Sequence, residues 1–283
     1  MNKTIKILAA LLPLFITSCT NDDANVTTTP QKDQVVTLSA GITRGEGETG
    51  TTNTDFSYNK IKVINVTRQE KGLPYSQAVF SRTFNVSENA WTPWTSDSPL
   101  LWCGGMENTF HAVYPATADY SSFTVPSDQS DATKLASADW MTGEKTIEWS
   151  ENVDTNEPIS FEMKRHNAMV VISNITVTNN TVTVQDVKFN AKDNLVITPH
   201  NNGSAYEAIL PSGGSVDDIF ATISIYINTI TEEHHLKIPE SLSNGFEAGK
   251  KYTFAASYTY SGPMAPTRSA APDNLTLVSV EPM

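Results

Sequence analysis

The sequence predicts an all-β protein built as a pair of β-sandwiches. Short stretches of alternating apolar and polar residues recur along the chain, and turn signals rich in Gly, Asn and Pro separate them, which is typical of sandwich folds. No window longer than about ten residues shows an apolar stripe with the period of a helix. Without an N-terminal leader of 18 residues the chain keeps 265 (283 minus 18), enough for one large β domain or two smaller ones.

The leader has the features of an export signal. Two lysines precede an apolar stretch at residues 7–16, which is too short for a membrane-spanning helix. The sequence Ile-Thr-Ser-Cys that ends at Cys19 resembles a bacterial lipobox, in which a small residue precedes a cysteine that is lipidated and becomes the first mature residue. We therefore expect a signal peptide at residues 1–18 and a lipid on Cys19. An ordinary secretory signal with a chance cysteine is the alternative.

The charge of the chain limits its partners. The formal net charge is −12, and removal of the two leader lysines makes it −14 (−12 minus 2). An acidic surface argues against nucleic acid as a partner, because neutralising phosphates requires basic clusters. Residues 19–34 are rich in Thr, Asn and Asp without apolar periodicity, so we expect a flexible tether there.

The first predicted strand lies at residues 35–42. Its apolar residues alternate onto one face, and these are Val36, Leu38, Ala40 and Ile42. Arg44 follows, and residues 46–54 are only Gly, Glu, Thr and Asn. Exposed loops of small polar residues are preferred sites of proteolysis, and no other Arg or Lys occurs between Lys32 and Lys60. A trypsin-like protease would therefore have one target in this region.

Further extended segments follow along the chain. They are predicted at residues 60–66, 77–86, 100–102, 109–114, 122–126 and 158–163, with a turn and strand start at 89–94, and then at 168–175, 176–184, 187–190, 194–198, 205–210, 219–227, 235–239, 251–260 and 274–281. One short helical turn is expected within residues 128–144. The polar stretch at 151–158 predicts the boundary between an N-terminal sandwich at 35–157 and a C-terminal sandwich at 158–260. Residues 261–283 form a Pro-rich linker and a last strand.

No pattern of catalytic, metal-binding or cofactor-binding residues emerges. The chain lacks G-x-S-x-G, H-E-x-x-H and P-loop motifs, so we expect no enzyme, no metal and no cofactor. His234 and His235 follow two glutamates, but adjacent residues of a strand point to opposite faces, so an exposed charged turn is the preferred interpretation. If Cys19 is lipidated, Cys103 has no disulfide partner, and we interpret it as a small buried apolar residue rather than a reactive thiol.

Several motifs occur in an order that resembles the fimbrillin family, the type V pilus subunits of Bacteroidetes. They are the lipobox, the strand ending at Thr43-Arg44, Trp94, Leu101-Trp102, residues 110–115 (FHAVYP), 128–130, 138–141 (ADWM), 159–166 (ISFEMKRH) and 246–254 (FEAGKKYTF). The resemblance implies a fold of two tandem transthyretin-like β-sandwich domains.

The resemblance also implies a mechanism of assembly. The precursor would be anchored in the outer membrane through the lipid on Cys19, and an arginine-specific protease would cut after Arg44. Loss of the strand at residues 35–42 would leave a groove that a C-terminal strand of another pilin subunit fills, through main-chain hydrogen bonds and alternating side chains. Because this contact is heterologous, it would extend a homo- or heteropolymeric pilus on the cell surface.

The candidate donor strand lies after the Pro-rich linker. Leu275 and Leu277 fall on one face of it, and Val278 and Val280 on the other. A last strand that stays in its own sandwich is the alternative. The tail departs from the family, whose subunits often end with a strand that contains tryptophan, so stalk, tip and anchor positions all stay open.

Two other classes of function compete with a pilus subunit. The first is a tip adhesin or surface lipoprotein that binds a glycan or a host protein, for which five Trp and nine Tyr offer stacking surfaces, although such residues more often pack in cores. The second is a hydrolase, for which the sequence contains no arrangement of catalytic residues.

Overall fold

The computed structural model describes residues 34–39, 43–44, 59–148, 157–177, 182–227, 230–258 and 274–283. The predicted signal peptide, Cys19, Ala40, Ile42 and the Pro-rich linker lie outside these residues. Within them the chain is mostly strand, so the all-β prediction is confirmed. No helix of the described part is long and apolar enough to cross a membrane.

The strands follow one another in two groups. The first group is β1 (Thr43–Arg44), β2 (Lys60–Asn65), β3 (Gln77–Ser81), β4 (Phe84–Asn85), β5 (Ala90–Trp91), β6 (Thr95–Ser96), β7 (Asn108–Tyr114), β8 (Met141–Ile147) and β9 (Glu162–Arg165). The second group is β10 (Asn167–Val177), β11 (Val182–Asn190), β12 (Val196–Ile197), β13 (His200–Asn201), β14 (Tyr206–Pro211), β15 (Ile219–Ile227), β16 (Ile230–Lys237), β17 (Lys250–Tyr258) and β18 (Asn274–Pro282).

Two short helices interrupt the first group of strands. Helix α1 (Val66–Glu70) begins at Asn65, whose side-chain oxygen accepts from the Arg68 amide, an ordinary N-cap. The strand predicted at residues 60–66 ends at the first residue of this helix, and no helix is predicted at 67–70 because a single turn is too short to show a helical period. Helix α2 (Ala132–Ser137) is capped by Asp131 in the same way and supplies the helical turn predicted within residues 128–144. Single 3₁₀ turns lie at Lys192–Asn194 and Glu240–Leu242.

The first group forms a seven-stranded sheet in the order β1-β9-β8-β7-β2-β3-β6, while β4 and β5 form a separate hairpin. Alternate residues of its central strands, such as Ile61, Val63 and Phe110, are fully buried on one face. That face is covered by short extended segments joined by two isolated bridges, Val35 to Leu101 and Leu38 to Ile159. Together they enclose the N-terminal core.

The second group forms two sheets that pack on each other. One has the order β13-β14-β10-β17-β18, and the other has the order β12-β11-β15-β16. Buried aromatic residues of both sheets, among them Phe189, Phe220 and Phe254, fill the C-terminal core between them. Strand β18 is the edge strand of its sheet and pairs antiparallel with β17.

The boundary between the two cores differs from the predicted one, and one connection of the first group packs in the C-terminal core. The sequence predicts a boundary at residue 158, but β9 pairs with β8 in the first sheet, and the change of core falls between Met163 and Ala168. The connection from β7 to β8 also crosses over, because Leu135 packs in the C-terminal core. Gln129 attaches this connection to β14, because its side-chain amide both donates to the Ile209 carbonyl (2.9 Å) and accepts from the Ile209 amide (2.7 Å).

Candidate functional site

The N-terminal segment, Gln34–Ser39 together with β1, lies between two walls of the N-terminal sandwich. We call this position the slot. Its first wall is Leu100–Cys103, which the segment meets in antiparallel fashion. The Val36 amide donates to the Leu100 carbonyl (2.7 Å), and the Trp102 amide donates to the Gln34 carbonyl (2.9 Å). One edge of the segment is thus paired like a strand of a sheet.

The second wall, Ile159–Met163, pairs with the other edge of the segment. The Ile159 amide donates to the Thr37 carbonyl (2.8 Å), and the Ser39 amide donates to the Ile159 carbonyl (3.0 Å). Further along, β1 runs parallel to β9, with Arg44 opposite Met163. The segment is therefore hydrogen-bonded on both sides, as a central strand would be.

The side chains of the segment alternate between core and solvent. Val36 is 1% exposed within the N-terminal core, and Leu38 packs against the same core. Val35 and Thr37 face outward. Val36 and Leu38 are two of the four residues predicted for the displaced strand. Burying such a side chain is worth about 1.5–3 kcal/mol, so the segment contributes to the core as well as to the hydrogen bonding.

Two buried asparagines hold the first wall in place. Asn65 donates through Nδ2 to the Leu101 carbonyl (3.0 Å) and to Oδ1 of Asn108 (2.8 Å). Asn108 in turn accepts from the Cys103 amide (2.8 Å) and donates to the Cys103 carbonyl (2.9 Å). Both asparagines are fully buried, so these bonds are shielded from water. None of these bonds involves a residue of the N-terminal segment.

Arg68 of helix α1 fixes the same wall from another side. Its Nη1 donates to the Trp102 carbonyl (2.7 Å), while Nε and Nη2 donate to the Pro74 carbonyl (3.0 and 2.8 Å). No sequence motif singled out Asn65, Arg68 or Asn108. A signal was present for the asparagines, because they fall in phase with the buried positions of β2 and β7, where a polar residue needs a partner.

The second wall has a weaker attachment to the sheet. Strand β9 pairs with β8 at two positions, where Met141 meets Arg165 and Thr142 meets Lys164. The two strands approach closely at Gly143, since a Cβ there would lie 2.8 Å from Sδ of Met163 and 2.9 Å from the Glu162 carbonyl oxygen. Glycine is the residue that permits this contact.

Arg44, the predicted cleavage residue, ends β1. Its backbone pairs with β9 beside Met163. Gly45, on the other side of the predicted scissile bond, lies outside the described residues. A protease needs an extended substrate free of sheet pairing, so cleavage requires β1 to leave β9 locally.

The candidate donor strand, β18, lies in the chain's own C-terminal sheet. Leu275 and Leu277 are half-buried against the C-terminal core, whereas Val278 and Val280 are 57% and 42% exposed. The structure therefore has the arrangement that the sequence left open as the alternative, a last strand paired within its own sandwich. The face with Leu275 and Leu277 points towards the core, and the face with Val278 and Val280 points to solvent.

Cys103 and His234, which the sequence singled out for their chemistry, are both buried in the fold. Cys103 is a buried free cysteine, as predicted. The expected exposed turn at residues 232–235 is wrong, because these residues belong to β16, and His234 is buried with its ring 4.5 Å from that of Tyr258. The run of glutamates and histidines was misleading because burial here comes from pairing with β15 and from packing on Tyr258, and the charges indicate neither contact. Across the described ranges, no group of three His, Cys, Asp or Glu side chains is placed to hold a metal.

Three of the tryptophans pack against other side chains. Trp102 meets the Phe110 ring edge-on in the N-terminal core (5.1 Å). The Arg82 guanidinium lies over the rings of Trp91 and Trp94, 4.3 and 4.5 Å from their centres. Cation–π contacts of this kind occupy aromatic faces that a sugar would otherwise use.

The chain matches a known sequence family and is similar in fold to solved structures. A sequence model described as fimbrillin-like matches residues 43–270. The structure of a candidate cell adhesion protein from Bacteroides uniformis is similar, with a TM-score of 0.52 and 14% identity over 90% of this chain and 99% of that one. A candidate cell adhesion protein from Bacteroides ovatus gives a TM-score of 0.50 and 12% identity over 88% and 98% of the two chains. No curated protein matches significantly. The chain belongs to the fimbrillin-like family and is a pilus-related structural protein, not an enzyme.

Proposed function

We propose that this chain is a structural subunit of a cell-surface pilus that is assembled by donor-strand exchange. The observation that carries the proposal is the N-terminal segment itself, which is paired on both edges and contributes Val36 to the core. Arg44 at its end is the proposed cleavage residue. The lipid on Cys19 is the proposed anchor of the precursor in the outer membrane.

The slot has the properties of a strand receptor. Without the segment, the Leu100 carbonyl, the Trp102 amide and both main-chain groups of Ile159 lose their partners. Each polar group left unpaired in a buried site costs about 1–3 kcal/mol. An incoming strand with apolar residues two positions apart would restore these bonds and refill the places of Val36 and Leu38. The first wall, held by Asn65, Arg68 and Asn108, would be ready to receive it.

The proposed donor is β18 of another subunit. Its alternating residues offer two apolar faces, Leu275 with Leu277 or Val278 with Val280, and either matches the spacing of Val36 and Leu38. Each donor would first leave its own sheet, because β18 pairs with β17 along its length.

Controlled cleavage tests the proposal. The full-length chain is treated with an arginine-specific protease, the new N-terminus is sequenced, and the size distribution is followed by light scattering. We expect a chain that begins at Gly45, release of the N-terminal fragment, and growth of oligomers. Arg44→Gln should block all three, while the matched variant Lys32→Gln should block none. Cleaved protein that loses its fragment and stays monomeric would refute polymerisation.

Deletion of residues 275–283 tests the donor separately. We expect cleaved chains with this deletion to end polymers of the intact chain, since they accept a strand but give none. Unchanged self-assembly of the deleted chain would exclude β18 as donor.

A tip subunit that binds a glycan or a host protein is the second candidate. The docking of β18 in its own sheet favours it, because a tip subunit accepts a strand without donating one. In that case cleaved chains would bind a peptide copy of a donor strand from another pilin and still not self-assemble. A glycan array probed with the uncut monomer then tests for adhesion.

A further inference from the structure

Arg165 lies where the first sheet ends and the second begins, and it contacts the residue that follows β18. It is the last residue of β9 and is 4% exposed. Its Nε donates to Oδ2 of Asp139 at 2.9 Å, and its Nη1 donates to the main-chain oxygen of Met283, directly after β18. Met283 is buried and its amide donates to the Gly249 carbonyl (2.8 Å). The guanidinium thus holds the end of the C-terminal strand against a buried carboxylate.

The position of Asp139 is itself fixed. The Ala138 carbonyl accepts from Nδ2 of Asn167 (3.1 Å), and the Trp140 carbonyl accepts from the His166 amide (3.0 Å). The residues on both sides of Asp139 are therefore tied to the chain that follows β9. A buried guanidinium is tolerated only when its donors are satisfied, and the Met283 oxygen is one of its acceptors. Departure of β18 removes that acceptor, so Arg165 opposes the departure.

Strand β9 also contacts the N-terminal segment. Met163 lies opposite Arg44, and Arg165 follows two residues later on the same buried face. When β1 leaves, β9 becomes the edge of its sheet and keeps the two paired positions with β8. The positions that lose a strand partner, Glu162 and Met163, directly precede the pair Lys164 and Arg165 that β8 holds, so the loss reaches the backbone beside Arg165.

We propose that Arg165 is a latch that keeps β18 in its own sheet, and that β9 transmits loss of the N-terminal segment to this latch. The proposal rests on the proposed function in taking removal of the segment as the natural trigger. Its consequence is an order of events, in which a subunit releases its donor strand after its own slot has been emptied. Uncut precursors would then keep both their slot filled and their donor strand docked.

Hydrogen–deuterium exchange of the full-length, uncut monomer tests the latch. Arg165→Lys keeps a charge for Asp139 but loses the fork that reaches both partners, and deletion of Met283 removes the acceptor instead. Each is expected to speed amide exchange in β18 by about tenfold, the effect of one charged hydrogen bond, with β11 and β15 unchanged. Lys250→Gln, which breaks the exposed contact to Glu247 beside the same strand, is the matched control. Wild-type exchange in β18 for both latch variants would overturn the proposal.

The coupling is tested with the segment weakened in place. Val36→Asp puts a charge into the buried position, and Val35→Asp is the exposed control. We expect Val36→Asp to speed exchange in β18 in the wild-type background and to add little in the Arg165→Lys background, since coupled sites are not additive. Equal exchange in β18 with Val36→Asp and Val35→Asp, or full additivity with Arg165→Lys, would overturn it.

The latch and the proposed function fail in different ways. Exchange is measured on uncut monomer and does not depend on cleavage or polymerisation. If the latch variants behave as wild type while cleaved chains polymerise, the latch is wrong and strand exchange stands. If the latch variants behave as expected while cleaved chains stay monomeric, strand exchange is wrong and the latch stands.

Discussion

Asn65 and Asn108 lie on neighbouring strands β2 and β7, and Nδ2 of Asn65 donates to Oδ1 of Asn108 at 2.8 Å in a fully buried position. Both asparagines bond to main-chain groups of Leu100–Cys103, the wall against which the N-terminal segment pairs. The sheet thereby specifies where an added strand can dock.

Asn108→Ala should destabilise the N-terminal sandwich. It leaves the Cys103 amide and carbonyl and one Asn65 donor without their partner in a buried site, so we expect a loss of about 3 kcal/mol in the free energy of unfolding. Urea denaturation followed by Trp fluorescence measures this loss. Asn85→Ala in the β4–β5 hairpin removes only exposed bonds to Ser87 and should cost under about 0.5 kcal/mol. Equal losses for the two variants would contradict the role of Asn108.

Val36→Ala should make Arg44 easier to cut. The substitution removes two buried methyl groups, worth about 1.5 kcal/mol, which weakens docking of the segment and raises its open fraction roughly tenfold. The initial rate of cleavage after Arg44 by an arginine-specific protease, followed by mass spectrometry, should rise accordingly. Val35→Ala, at a position that is 51% exposed, should leave the rate unchanged. Equal rates for the two variants would show that docking of Val36 does not protect the bond.

Gly143→Ala should disturb the contact between β8 and β9. The new Cβ would overlap both Sδ of Met163 and the Glu162 carbonyl oxygen, so we expect about 1–3 kcal/mol of destabilisation from overpacking. Thermal unfolding measures it, with the exposed Thr146→Ala on the same strand as control. Met163→Ala in addition should relieve only the side-chain clash, because the carbonyl stays in place. Wild-type stability of Gly143→Ala would mean that β9 shifts freely.

Gln129→Leu should loosen the crossover between the two cores. A leucine fills similar space but leaves the Ile209 amide and carbonyl unpaired, at a cost of about 2–4 kcal/mol for the two groups. Because the crossover joins both cores, we expect calorimetry to show one unfolding transition for the wild type and two for Gln129→Leu. Lys134→Leu, on the exposed side of α2, should keep a single transition. A single transition for Gln129→Leu would contradict the expected loosening.

His166 should make stability fall as the pH falls. Burial, and then the nearby positive charge of Lys164, lower the pKa of His166 below its usual 6.5. As the pH falls, the unfolded chain therefore binds a proton on this imidazole before the folded chain does. The stability that neutral His166 contributes is complete above pH 6.5 and is lost as the pH falls towards the lower pKa of the folded state. His166→Gln should flatten the dependence of Tm on pH between 7 and 5. An unchanged slope would contradict the role of this imidazole.

Local sequence predicted which faces of single strands are buried better than it predicted which residues those strands contact. The alternation of Val36 and Leu38 with polar neighbours indicates a buried face, and the structure places both side chains at the N-terminal core. The two faces of β18 are readable in the same way. In contrast, the exposed turn expected at His234 is wrong, because burial there depends on pairing with β15 and on the ring of Tyr258 in β17, and the local run of charged residues indicates neither contact.

The sequence by itself determined the class of the fold and the identity of its terminal strands, because a two-residue period and turn residues act within a few positions. Tertiary structure decided what those strands touch. Arg165 shows the difference: its neighbours in the sequence mark it only as one charge in a strand, whereas the fold gathers Asp139 and Met283 around it. Pairing over more than a hundred residues depends on how sheets pack, and no local pattern encodes it.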